Sequence, residues 1–158
     1  MASIRNLAPV VKPPPETPGA RFTNPEAERA LLGALATSGR PEDLARLDPG
    51  DFTIPAHRVL FEAIARRLET GAELSVVLLA DDVRSAGIPY STVFQMYDEA
   101  AGSVPAYLPI LRDCRLRRLL HSLGSCVIQH AADATSEPRE TARWLRQQLP
   151  RIEEVATR

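Results

Sequence analysis

Apolar residues recur at spacings of three and four along most of this chain, which is the period of an amphipathic helix. The first helix is predicted to begin after Asn24, a favourable N-terminal cap, with Pro25 at its first position. A short second helix is predicted from Pro41, and residues 48–51 form a turn with Phe52 as its apolar anchor. The core stripe of the first helix is predicted to be Leu31, Leu32 and Leu35.

Three further helices are predicted in the middle of the chain, over residues 55–71, 75–87 and 91–102. A glycine stands at the end of each segment, where it suits the left-handed conformation that terminates many helices. Ser75 and Ser91 are the predicted N-terminal caps of the second and third of these helices.

The last third of the chain has a different pattern. After Pro105 and Pro109, no proline or glycine pair interrupts the chain until residues 136–138, which predicts one long helix. A second helix is predicted from about residue 137, so that the two form an antiparallel helical hairpin. Because Pro150 lies in this second helix, we expect the helix to kink or end near Leu149.

No segment shows the strict alternation of a half-buried strand, and no internal repeat is present, so the predicted fold class is all-α. Three regions are predicted. Residues 1–22 are rich in proline and form a disordered tail, residues 23–102 form a globular head of several helices, and residues 103–158 form the C-terminal hairpin.

The composition is that of one ordinary globular domain with a sizeable core. The chain has 158 residues, of which 44% are hydrophobic and 25% are charged. Its net charge of −1 provides no overall attraction to nucleic acid or to an anionic membrane. No apolar leader or membrane-spanning stretch is recognisable, so a cytoplasmic protein without membrane contact is predicted.

The basic residues exclude several kinds of enzyme. All but one are arginine, and the only lysine, Lys12, lies beside a run of three prolines in the predicted tail. A phosphate-binding P-loop and a Schiff-base site each need a lysine in a defined pocket, so ATP hydrolysis by this chain is excluded. We predict that the chain is not an enzyme and uses no cofactor.

Three residues could carry site chemistry, but a structural role is favoured for each. His57 at the start of a helix lacks a nucleophile at a fixed spacing, so it is not predicted to be catalytic. Cys126 and His130 are four residues apart on one helical face, but two ligands are too few for a structural zinc site. The sequence therefore predicts no catalytic residue and no metal site.

Two surfaces of the long hairpin are candidates for binding. A basic cluster could contact nucleic acid, although it spreads over more than one helix face and contains no aromatic residue to stack on bases. The apolar stripes of the two helices could mediate self-association, because an isolated pair of helices cannot bury both of its stripes. The basic cluster is Arg112, Arg115, Arg117 and Arg118. The stripes are Leu116, Leu119, Leu120, Leu123 and Val127, with Leu145, Leu149 and Ile152.

Several segments, in this order and spacing, resemble the N-terminal domain of the DnaB-type bacterial replicative helicase. Each alone is weak, but together in register they make a strong match at the level of the fold. The resemblance extends over roughly residues 22–157. The segments are Asn24-Pro25-Glu26-Ala27-Glu28 with Leu31-Leu32-Gly33-Ala34, Leu47 to Phe52, Pro55 to Ile64, Gly71 to Val83, and Tyr107 to Leu120.

The resemblance implies a collar domain that pairs through its hairpins, assembles as a trimer of dimers and receives primase. In that family the ATP-hydrolysing motor follows a linker helix, which would start at the end of this hairpin. The implied function is a non-catalytic interaction and oligomerisation module of DNA replication. Its implied partners are a second copy, the replicative helicase, and primase or a helicase loader, with DNA involved only indirectly. The alternative is a free-standing DNA-binding or helicase-regulating accessory protein that uses the basic cluster.

Two positions depart from the family pattern. Ser75 stands where the family usually has an acidic residue, which exchanges one helix cap for another. Pro150 lies in the segment that resembles the linker helix, where a proline weakens a rigid helix and disfavours docking on a motor domain.

Overall fold

A computed structural model describes residues 22–100, 102–133 and 135–157 of the chain. Within these ranges the structure is all-α and has no strand, which confirms the predicted fold class. A short 3₁₀ turn, Pro49–Asp51, precedes the third helix. The helices are α1 (Pro25–Ser38), α2 (Pro41–Leu44), α3 (Pro55–Thr70), α4 (Val76–Arg84), α5 (Tyr90–Asp98), α6 (Val104–Ala132) and α7 (Pro138–Thr157). The predicted N-terminal tail lies outside the described residues, apart from Phe22.

Most helix ends follow the local rules that predicted them. The side chain of Asn24 accepts a hydrogen bond from the backbone N–H of Ala27 at 3.0 Å, and Ser75 caps α4 by accepting from Leu78. Gly71 ends α3 with a φ of 64°, in the left-handed region that glycine adopts most easily. The caps predicted at these three positions are confirmed.

The prediction for α5 is wrong at both ends. The helix begins at Tyr90 with Pro89 as its cap, so Ser91 lies within the first turn. Pro89 has an extended backbone, with a φ of −71° and a ψ of 150°, and the helix follows it directly. The helix ends at Asp98, and Gly102, with a φ of 87°, lies in the connection to α6.

The core of the head surrounds α1, which packs against α3, α5 and α6. The predicted core residues Leu31, Leu32 and Leu35 are completely buried. Gly33 allows α5 to approach closely, because a Cβ atom there would lie 2.4 Å from the carbonyl oxygen of Met96. The burial of α1 on several faces explains why so many of its residues are apolar.

The long helix α6 belongs to two parts of the molecule. Its first two turns complete the core of the head, where Val104, Leu108 and Leu111 are buried. The rest of α6 extends from the head and packs along α7 as the predicted hairpin. The division of the chain at residue 102 stays a prediction, and α6 connects the two regions as one uninterrupted helix.

The helix α7 does not end near Leu149, so that form of the prediction is wrong, and the predicted kink at Pro150 stays a prediction. The helix continues through Pro150 to Thr157, and Val155 beyond the proline is buried. A proline removes one backbone hydrogen bond, but the half-buried Leu145 before it and the buried Val155 after it keep the helix in place.

Candidate interaction surface

The base of the hairpin is fixed to the head by two arginines of α6. Arg115 donates a hydrogen bond to Asp51 at 3.1 Å and lies 3.2 Å from a carboxylate oxygen of Asp48. Arg118 donates to the carbonyl oxygens of Phe22 and Gly50, each at 2.9 Å. Charge-assisted hydrogen bonds of this kind are stronger than neutral ones, so the 3₁₀ turn and the hairpin are held together.

The other two arginines of the predicted basic cluster also have protein partners. Arg112 donates to the carbonyl oxygen of Arg46 at 3.2 Å, and Arg117 pairs with Asp113 at 2.7 Å on the exposed surface of α6. Contact of the cluster with nucleic acid stays a prediction. In this structure Arg112, Arg115 and Arg118 bind the head, and only Arg117 lies on the outer surface.

A buried contact between the side chains of Glu28 and His57 connects α1 and α3. Glu28 lies 2.8 Å from Nδ1 of His57, and it also accepts hydrogen bonds from the backbone N–H and hydroxyl groups of Thr53 and from Ile54 N–H. Burial favours a higher pKa for Glu28, but the hydrogen bonds from His57 and Thr53 outweigh it and hold the pKa below its usual value. These contacts hold the side chain of His57 in the core of the head, which is a structural role.

The apolar stripes of the hairpin divide into buried and exposed residues. Six of the predicted self-association residues are half-buried, whereas Leu120 is 50% exposed and Leu149 is 48% exposed. Among the described residues, the most exposed large apolar residue of the hairpin is Ile128, at 71%. Ile128 is not part of the predicted stripe, because it lies about 100° around the helix from Val127. The half-buried residues are Leu116, Leu119, Leu123, Val127, Leu145 and Ile152.

Two grooves lie between α6 and α7. The first has a volume of about 100 Å³, and its lining includes Leu119 and Leu123 of α6 with Gln148 and Ile152 of α7. The second is larger, with a volume of about 530 Å³. Its lining includes Val127, Ala131, Ala142 and Leu145.

The residues examined for metal or cysteine chemistry do not form a site in the described part of the chain. No group of three histidine, cysteine or acidic side chains converges there. His130 lies next to Trp144, with ring centroids 6.1 Å apart, and its Nδ1 is 3.3 Å from the hydroxyl of Ser136. Burial raises the pKa of the Cys114 thiol, which disfavours the reactive thiolate.

The helices of the described ranges are too short or too polar to cross a membrane.

Comparison with known proteins shows both a family and a similar fold. Residues 21–112 match the family described as the DnaB-like helicase N terminal domain. The fold is similar to the crystal structure of the N-terminal domain of DnaB helicase from Mycobacterium tuberculosis, with a TM-score of 0.70 and 22% sequence identity. That match covers 84% of this chain and 97% of the mycobacterial chain.

Proposed function

The chain belongs to the family of DnaB-like helicase N-terminal domains, and from this we propose that it acts as a non-catalytic interaction and oligomerisation module in DNA replication. The family supports a helicase collar module. The observation that carries the proposal is the hairpin, which extends from the head and presents large apolar side chains to solvent. Exposed apolar patches on a small domain are typical of protein interaction sites.

The first proposed partner is a second copy of the chain, bound through the hairpin. Each helix of the hairpin covers one side of the other, and Leu120, Ile128 and Leu149 stay exposed on the remaining surface. A second hairpin with the same surface would bury all three side chains in both copies, as a two-fold symmetric interface does. Burial of such side chains is a principal source of association free energy.

The further proposed partners are the replicative helicase, primase or a helicase loader. Membership of the family supports this choice, because the matched domain takes its name from a helicase. The role proposed for this chain is to bind these partner proteins and hold them together without catalysing a reaction. Its only lysine precedes the described residues in a proline-rich segment, which is unlike the phosphate-binding loop that ATP hydrolysis requires.

Self-association through the hairpin is tested by Leu120→Asp in the full chain. We expect the dissociation constant of the oligomer to rise by at least about tenfold. The new carboxylate would be buried at the centre of the interface without a partner of opposite charge, and burying such a charge is unfavourable. Sedimentation equilibrium over a range of concentrations measures this constant. The control is Leu78→Asp, which makes the same change at an exposed leucine of the head.

The proposal is contradicted if the unmutated chain is monomeric at every concentration. It is also contradicted if Leu120→Asp and Leu78→Asp have the same effect on the dissociation constant.

A further inference from the structure

The head has an exposed apolar surface of its own, formed by α4 and α5. Tyr90 and Phe94 lie one turn apart on α5, both exposed, with their ring centroids 6.5 Å from each other. The hydroxyl of Tyr90 donates a hydrogen bond to Asp81 of α4 at 2.6 Å. The exposed Val77 lies one turn before Asp81, so it extends the same surface onto α4. Exposed aromatic side chains that lie together are typical of a binding surface.

Two carboxylates lie at the edges of this surface. Asp81 borders Tyr90, and the exposed Asp98 lies one turn after Phe94 on α5. In the described part of the chain neither carboxylate forms a salt bridge, and Arg84 is the only basic residue of α4 and α5. The surface therefore favours a ligand that is both apolar and basic. We call it the aromatic patch, and it consists of Val77, Asp81, Tyr90, Phe94 and Asp98.

Charge is distributed unevenly along the chain, although the net charge is only −1. Residues 22–102 contain seven basic and thirteen acidic residues. Residues 1–21 contain three basic residues and one acidic residue. The head and the segment that precedes it therefore have net charges of opposite sign and attract each other.

Residues 9–18, which we call the proline segment, have the composition of a polyproline ligand. Five of these ten residues are proline, and the chain's only lysine, Lys12, directly precedes three of them. Proline-rich sequences favour an extended polyproline II conformation, which loses little entropy on binding, and they bind grooves lined by aromatic side chains. The aromatic patch provides such side chains, together with carboxylates that can pair with a lysine.

The proline segment is long enough to reach the aromatic patch of its own chain. The described chain begins at Phe22, whose ring lies 5.7 Å from that of His121 at the base of the hairpin. The ten residues from Lys12 to Phe22 span about 31 Å at about 3.1 Å per residue. A head of about 80 residues has a radius of gyration of about 12 Å, and therefore a diameter of about 30 Å.

From these observations we infer that the proline segment binds the aromatic patch of the same chain. Its prolines pack against Tyr90 and Phe94, and the ammonium group of Lys12 pairs with a carboxylate of the patch. A second copy is not the occupant, because two facing aromatic patches would bring their carboxylates together. The proline segment precedes residue 21, where the family match begins, and the contact does not depend on the self-association proposed above.

Zero-length cross-linking with a carbodiimide tests the contact in the full chain. The reagent joins a lysine amine directly to a carboxylate that it touches, and Lys12 is the only lysine. We expect mass spectrometry of the digested chain to find Lys12 joined to Asp81 or Asp98 in preference to all other carboxylates. Equal cross-linking to carboxylates throughout the chain, or no cross-link from Lys12, would overturn the inference.

Isotope labelling distinguishes binding within one chain from binding between copies. Equal amounts of natural and ¹⁵N-labelled chain are mixed in urea, refolded together and cross-linked. Binding within a chain gives cross-linked peptide pairs in which both peptides carry the same label, so we expect no more than a trace of mixed pairs. A larger share of mixed pairs would show that the proline segment binds another copy, which contradicts the inference.

Phe94→Ser tests the apolar part of the contact. Because Phe94 is 46% exposed, the variant should retain its helical circular dichroism. The yield of the cross-link from Lys12 to the aromatic patch should fall by about fivefold or more. Ile110→Ser is the matched control, since Ile110 is 41% exposed but lies on α6, and it should retain the yield. Equal yields for the two variants would contradict the inference.

Hydrogen exchange tests the charged part of the contact without a reagent. Lys12→Glu should make the amides of α5 exchange about threefold faster or more, because the new carboxylate would face those of the aromatic patch. Arg5→Glu is the control. It makes the same change of charge outside the proline segment and should alter the exchange little. Equal effects of the two variants would show an attraction by net charge alone and would overturn the contact.

Discussion

Glu28 shows how one buried carboxylate organises the region where α1 meets α3. It accepts hydrogen bonds from Thr53 and Ile54, which precede α3, and it contacts His57 in the first turn of that helix. These groups satisfy the oxygens of a carboxylate that is almost completely buried. The cost of burying the charge is thereby offset, and the pKa of Glu28 is lowered.

The lowered pKa predicts how Glu28 contributes to stability as the pH changes. Because the pKa is lower in the folded chain, the contribution is complete above the unfolded glutamate pKa of about 4.3 and is lost as the pH falls through the folded value. Glu28→Gln should lower the free energy of unfolding by about 1–3 kcal/mol at pH 7. The difference from the unmutated chain should shrink below pH ~4.

Urea unfolding measures the difference in free energy of unfolding between Glu28→Gln and the unmutated chain, at pH 7 and again at pH 3.5. Glu26→Gln, at an exposed position in the same helical turn, is the control and should change stability by no more than about 0.5 kcal/mol. A difference for Glu28→Gln that is the same at both pH values would contradict the assigned role of the charge.

The helix α6 combines three structural roles in one element. Its start is apolar and completes the core of the head, its middle carries the arginines that bind the 3₁₀ turn, and the rest forms the hairpin with α7. The orientation of the hairpin on the head therefore depends on polar contacts to backbone carbonyls as well as on apolar packing. The same contacts explain why arginine occupies these positions, since its planar group can donate to several acceptors at once.

Arg118→Ala should weaken the attachment of the hairpin to the head. The carbonyl oxygens of Phe22 and Gly50 lose their donor, which should lower the free energy of unfolding by about 1–3 kcal/mol. Hydrogen exchange should show faster exchange of the amides of residues 48–52. Arg117→Ala, at an exposed position one residue away, should change either measurement little, and equal effects of the two variants would contradict the role given to Arg118.

At the scale of the molecule, the described residues form a compact head and an extended hairpin. The net charge of −1 for the full chain suits binding to proteins better than binding to DNA. We expect the purified chain to form a complex with the replicative helicase, primase or helicase loader of its own organism on size-exclusion chromatography. Binding to duplex DNA should be weak at 150 mM salt. Binding to DNA with a steep dependence on salt, and to none of the three proteins, would favour the alternative function.

Much of the fold follows from local sequence rules, because helix caps and breakers act over a few residues. Asn24, Ser75 and Gly71 set helix ends through contacts within one turn, and the seven-helix pattern follows from the spacing of apolar residues. The error at α5 has a local cause as well: Ser91 is a good cap in general, but Pro89 ends the extended segment two residues earlier. Pro150 shows the limit of such rules, since packing keeps α7 helical through a residue that disfavours a helix.

The candidate surface depended on the way the elements pack. Helical period places Leu119, Leu120 and Leu123 on one broad stripe, but the position of α7 leaves Leu120 exposed and covers much of the other two. The arginine cluster is visible in the sequence, whereas the acceptors of Arg112, Arg115 and Arg118 lie more than 60 residues away in the chain. Local sequence therefore predicted the helices and their apolar faces. Long-range packing decided which parts of those faces stay exposed to solvent. Burial is a property of two elements in contact, and the sequence of a single helix does not indicate the direction from which its partner approaches.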